Sequence, residues 1–201
     1  MVKVNTTSSN KSISAAKTKI YLMCFIALLT TGCYSVKKSV ERSYPNSKDI
    51  HWPEDYKPEE SKFFVHNEIY IDASPETVWS ILIKADEWED YYEGASNLRL
   101  SNGTDGRLSE NSVFTWKTMG LDFTSSIKEF EPPNRLSWES DNKSIRGYHT
   151  WLIIPTKNGS KLITSEAQHG FMTFLQKMFV PHKLERLHDD WLTHHYPRSG
   201  K

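Results

Sequence analysis

The sequence predicts an α+β domain in which one antiparallel sheet is covered by a long C-terminal helix. Three observations carry this. From Phe63 to Gln168 apolar residues return mostly at every second position, between closely spaced turn signals. Two helix starts interrupt the pattern only once, after the first strand. From Phe171 onward the period changes to that of a helix.

The elements follow in order. Phe63–Ile71 (FFVHNEIYI) alternates, with Phe63, Val65, Asn67, Ile69 and Ile71 on one face. At Asp72-Ala73-Ser74-Pro75-Glu76, Ser74 is a good N-cap, Pro75 fits the first helical position and Glu76 suits the helix dipole. Val78, Trp79, Ile81 and Leu82 give that short helix an apolar face. Asp86 with Glu89 three residues on reads as a capping box for a second short helix burying Trp88, Tyr91 and Tyr92. Strands are then expected at 97–101, 112–119, 121–130, 135–140, 144–154 and 161–168. Asn102-Gly103, Gly120, Pro132-Pro133-Asn134, Asp141-Asn142 and Asn158-Gly159 punctuate them. Short connections between successive strands imply an antiparallel meander. Phe171, Phe174, Leu175, Met178 and Phe179 keep helical spacing, Pro181 must kink or break the helix, and Leu184, Leu187, Trp191 and Leu192 resume the stripe. An open sheet face needs a cover, and this segment alone can supply it.

The chain has 201 residues, room for one ordinary domain and an extension. Lys plus Arg equals Asp plus Glu at 25 each, so no charge excess points to nucleic acid. Two cysteines make neither a disulfide scaffold nor a zinc ribbon. Residues 1–19 carry Lys3, Lys11, Lys17 and Lys19 and no acidic residue, and Ile20–Leu29 (IYLMCFIALL) is apolar but shorter than the roughly 20 residues that span a bilayer. That order is the pattern of a secretory signal peptide. The Leu29-Thr30-Thr31-Gly32-Cys33 that follows resembles the bacterial lipobox. The resemblance implies cleavage before Cys33 and lipidation of Cys33. It also implies an envelope location, at the outer membrane facing the periplasm in a Gram-negative host, because Tyr34 stands where Asp would signal inner-membrane retention. Removing residues 1–32 takes four of the 25 basic residues and no acidic one, leaving 21 against 25. Residues 34–60, broken by Pro45, Pro53 and Pro58, have linker composition, with a coil reach of order 30 Å. Packing of Ile50 and Trp52 on the domain is the alternative for their C-terminal part. The expected organisation is therefore a signal peptide at 1–32, a lipidated tether at 33–60 and a domain at 61–196.

Five segments in this order, IYIDASPETVWSIL at 69–82, DEWEDYY at 86–92, KEFEPPNRLSW at 128–138, GYHTWLIIP at 147–155 and NGSKLITSEAQHG at 158–170, resemble the polyketide cyclase/START-like (SRPBCC) superfamily. The resemblance spans about residues 62–195. It implies the helix-grip fold, a curved sheet wrapped around the last helix with a cavity between, and binding of lipids, sterols or aromatic polyketides. Some members catalyse cyclisation or dehydration, and fold alone does not choose among these. Positions matching His149 and Glu166 often carry His and Glu in such sequences.

Strand alternation puts Gly147, His149, Trp151 and Ile153 on one face of their strand, and Leu162, Thr164 and Glu166 on one face of the next. A buried Glu beside an imidazole can transfer protons, or the two can simply satisfy one another as a buried pair. Phe114, Trp116, Trp138 and Trp151 can stack on an apolar ligand or fill the core, and Met172, Met178 and Phe179 line the helix side under either reading. His182, His188, His194 and His195 are spaced six, six and one, not the i, i+4 of two ligands on one helix face; with Asp189 and Asp190 they read as a solvated face, and no metal site is expected. No nucleotide-binding, zinc-hydrolase or nucleophile-elbow motif occurs, and no cofactor is implied. The chain thus reads as a lipid-anchored protein binding a hydrophobic small molecule or lipid. A cyclase or dehydratase using His149 and Glu166, and an envelope interaction module with a closed core, are the alternatives.

Overall fold

A computed structural model describes residues 49–103 and 105–195. The signal segment, Cys33 and the tether up to residue 48 lie outside the described residues, as do the side chains of Phe174, His194 and His195. The elements are β1 (Phe63–Ile71), α1 (Pro75–Leu82), a 3-10 turn (Ala85–Glu87) leading into α2 (Trp88–Tyr91), β2 (Ser96–Leu100), β3 (Val113–Thr118), β4 (Leu121–Glu131), β5 (Arg135–Asn142), β6 (Ile145–Thr156), β7 (Gly159–His169), α3 (Phe171–Phe179) and α4 (Lys183–His195).

The seven strands form one antiparallel sheet in the order β1-β7-β6-β5-β4-β3-β2. It is a meander whose last strand is closed by the first. Register shifts interrupt the β2/β3 and β4/β5 ladders, and such irregularities bend a sheet. The architecture is the α+β helix grip.

Local chemistry explains the elements. The Ser74 hydroxyl accepts from Thr77 N–H at the start of α1, with Pro75 in the first turn. The capping box expected at Asp86 does not form. Glu89 instead accepts from Leu98 N–H at 2.5 Å, tying α2 to β2. At the β3–β4 turn both Met119 (φ 52°) and Gly120 (φ 85°) have positive φ. Two such residues suit the right-handed twist of a tight hairpin, but a side chain at the first costs about 1 kcal/mol. The expected single helix is two, because Pro181 lacks the N–H that would continue it.

The core lies between the sheet and the helices. Trp88, Phe114, Trp138, Trp151 and Trp191 are each at most 1 % exposed. Trp191 of α4 stacks on Tyr92 at 4.1 Å and meets Trp88 and Trp151 edge-on at 5.0 and 4.9 Å. Asn67 Nδ2 donates to Asp189 Oδ1 at 2.8 Å and to the Glu185 carbonyl at 3.2 Å, pinning α4 to β1.

Residues 49–60 are not free chain. Ile50 packs on Leu152 and Ile163, and Tyr56 on Tyr148 and Ala167. Arg135 donates to the Asp49 carbonyl, and the Tyr56 hydroxyl donates to Glu139 Oε1 at 2.7 Å. The apolar residues of this segment cover the sheet face opposite the helices.

Candidate functional site

The β6–β7 hairpin creates the site. Its two-residue turn pairs Thr156 with Gly159, and the same register sets His149 opposite Glu166 and Gly147 opposite Gln168. These side chains point to the helical side of the sheet, where α4 brings His188 down on them. His149 Nδ1 lies 3.6 Å from Glu166 Oε2, and His188 Nε2 lies 3.4 Å from the same oxygen. The two imidazole rings stack with centroids 4.8 Å apart.

Neighbours hold each group. His149 Nε2 is hydrogen-bonded to Thr164 Oγ1 at 2.7 Å, and its ring lies 4.6 Å from Trp138 and stacks on Trp151 at 5.2 Å. Gln168 Nε2 donates to Glu166 Oε1 at 2.6 Å. Gly147 leaves room for that carboxylate, since a Cβ there would stand 2.9 Å from Glu166 Oε1.

The electrostatics follow from burial. Desolvation pushes the His149 imidazole down to about 3; the His188 charge adds to this and Glu166 opposes it. His149 is therefore neutral near pH 7. For Glu166, burial alone raises the carboxyl. The contact with His188, the neighbouring imidazoles and the Gln168 amide outweigh it, so the net direction is down. Burial, then the Glu166 charge, pushes the nearby Tyr92 phenol up.

These groups wall a cavity of about 30 Å³, together with Trp116, Met119 and Gln176. That volume holds one or two waters, far less than the 300–1,000 Å³ typical of a site for a drug-sized ligand. A wider groove of about 360 Å³ lies beside it, between Leu175, Phe179 and Val180 on the helical side and Met119, Leu121 and Ile145 on the sheet side. Met119, Leu121, Ile145 and Gln176 border both spaces. Gln176 Nε2 approaches Met119 Sδ at 3.9 Å where they meet.

Of the expected ligand-contacting residues, Trp116, His149 and Glu166 line the cavity. Phe114, Trp138 and Trp151 do not: they are 0–1 % exposed and fill the core, because the grip's interior is packed with indole rings. Met178 is 54 % exposed and lines neither space, since α3 covers the sheet with the side carrying Met172 and Gln176. His188 departs most from expectation. Its spacing predicts a solvated face, yet it is 0 % exposed, whereas His182 is exposed and pairs with Glu185. A signal existed: position 188 extends the stripe Leu184, Leu187, Trp191 and Leu192 at i+4 from Leu184, inside the apolar face. Asp189 turns away from the cluster to Asn67.

Comparison with known proteins places the chain in a family. Hypothetical protein jhp0584 from Helicobacter pylori is 27 % identical, with a TM-score of 0.66 over 71 % of this chain and 91 % of that one. A START superfamily protein from Mycobacterium smegmatis aligns at 15 % identity and a TM-score of 0.51, over 63 % of this chain and 91 % of that one. The di-domain aromatase/cyclase StfQ of the steffimycin biosynthetic pathway aligns at 13 % identity and a TM-score of 0.53 over 64 % of this chain; the match spans 48 % of its length. The last two share the fold alone. No curated protein matches the sequence. The family model described as polyketide cyclase/dehydrase and lipid transport matches residues 63–194, and the chain belongs to that family.

Proposed function

We propose that this protein is a lipid-anchored binding protein of the cell envelope, held by acylated Cys33, that takes a hydrophobic small molecule or lipid. The apolar body of the ligand lies in the groove between α3 and the β3–β4 turn, and its polar end reaches toward His149, Glu166 and His188. The observation that supports the reading is that the two spaces adjoin, with Met119, Leu121, Ile145 and Gln176 bordering both. An apolar groove ending at a few convergent polar groups is the usual form of a small-molecule site. An anchor near a bilayer would keep such a groove close to its supply of ligand.

A second reading is a cyclase or dehydratase in which His149 and Glu166 move protons. Their 3.6 Å approach and the neutral His149 favour it. In both readings Met119 or Gln176 must move for a bulky group to reach the pair.

Native mass spectrometry of the gently purified protein tests the proposal. An apolar mass bound to the wild type and lost in Leu121→Asp supports it. A bare protein mass that fatty acids and phospholipids fail to shift refutes it.

A further inference from the structure

His149, Glu166 and His188 have a property that neither a binding groove nor a proton-transfer pair requires. One nitrogen or oxygen from each lies within 4.8 Å of the other two. We infer that His149 Nδ1, Glu166 Oε2 and His188 Nε2 form a binding site for one divalent first-row transition-metal ion, for which Zn²⁺ is the natural probe.

The distances fit. An ion with tetrahedral bonds of about 2.0–2.2 Å separates its ligands by about 3.3–3.6 Å. The two approaches to Glu166 Oε2 are 3.6 and 3.4 Å. The rings are stacked with their planes 23° apart, so they must splay for both in-plane lone pairs to meet one ion and close the third side.

His188 supplies an independent argument. It is fully buried; Nδ1 has no hydrogen-bond partner among the described residues, and Nε2 has only the long 3.4 Å contact with Glu166 Oε2. A buried polar atom without a good hydrogen bond is costly, and an ion between His188 and Glu166 replaces that long contact with two short bonds.

The outer shell is partly in place. Thr164 Oγ1 on His149 Nε2 and Gln168 Nε2 on Glu166 Oε1 orient the two strand ligands from behind, as outer partners do in metal sites. Two imidazoles and one carboxylate suit zinc, iron, cobalt, nickel or copper; calcium and magnesium prefer all-oxygen sets. The adjoining cavity of about 30 Å³ leaves space for a fourth ligand, a water or the polar end of a bound molecule. The inference stands apart from the apolar-ligand proposal, because the ion alone is the probe and neither result decides the other.

The test is titration of the metal-stripped full-length chain with Zn²⁺ by calorimetry and with Co²⁺ by visible absorption. One ion per chain is expected, with cobalt bands of four- or five-coordinate intensity. His188→Gln and Glu166→Gln should each weaken binding by at least about tenfold, while Thr164→Val should weaken it less. A competing group, exposed His51 with Glu129 and Glu131, is the control, and His51→Ala should leave binding unchanged. Should a ligand variant fail to fold, the wild-type melting temperature decides: saturating Zn²⁺ should raise it, since an ion bound only by the folded state stabilises it. Absence of stoichiometric Zn²⁺ binding, no rise in melting temperature, or binding lost in His51→Ala but kept in His188→Gln overturns the inference.

Discussion

Trp191→Ala tests the helix grip at its centre. Trp191 is 0 % exposed, and its ring touches Tyr92, Trp88 and Trp151 from α4, the element that closes the sheet. Burial of a Trp removes about 150–250 Å² from water. At about 25 cal/mol per Å² that is roughly 4–6 kcal/mol as an upper figure, part of which Ala retains. The three ring contacts add about 0.5–1.5 kcal/mol each where their geometry is good. The cavity left behind adds to the loss, and large-to-small aromatic substitutions in cores measure about 3–5 kcal/mol. We expect a loss of about 4 kcal/mol in urea unfolding, and a fall in melting temperature of about 8–16 °C for a domain of this size. Phe179→Ala is the matched control. Phe179 sits on the same sequence stripe but is 73 % exposed, so its change should stay within about 0.5 kcal/mol. A Trp191→Ala loss below about 1.5 kcal/mol, or a Phe179→Ala loss as large, would show that α4 does not close the core as described.

Two further outcomes follow from other parts of the chain. Tyr56→Phe removes the hydrogen bond to Glu139. Burial alone raises the Glu139 carboxyl, but the Tyr56 hydroxyl and Lys128 outweigh it and the net direction is down. That stabilisation is present above the ordinary carboxylate range and is lost as pH falls through the folded-state value. The variant should be about 1 kcal/mol less stable near neutrality, with the gap narrowing toward pH 3. Equal gaps at both pH values in thermal melts would refute the pairing. Cys33→Ser should abolish acyl labelling and release the protein from membranes, and membrane association unchanged in that variant would contradict the lipid anchor.

Much of the sheet was legible because each strand is half-buried and must alternate. The expected first strand matches β1 end to end, and the other six fall within about two residues of their observed bounds. The pairing of His149 with Glu166 was only partly legible: alternation put each on one face of its strand, but the turn expected at Asn158-Gly159 lies one residue beyond the observed Lys157-Asn158 turn, which sets the register. The helix break was written in Pro181. Residues 49–60 were harder. Their prolines and charges are those of a linker, and only the apolar outer face offered by Tyr148, Leu152 and Ile163 turns Ile50 and Tyr56 into packed residues.

The sequence by itself therefore determined the succession of strands, the start of α1 and the break before α4, because period, capping and turn chemistry act over a few neighbouring residues. Only the tertiary structure decided which aromatic rings meet a cavity and which fill the core. It alone separated buried Trp191 from exposed Met178 and Phe179, and it alone brought His188 to Glu166 across 22 residues of chain. Helical spacing marks a stripe but does not say what covers it; the docking of α3 and α4 on a curved sheet settles that, through contacts between residues distant in sequence.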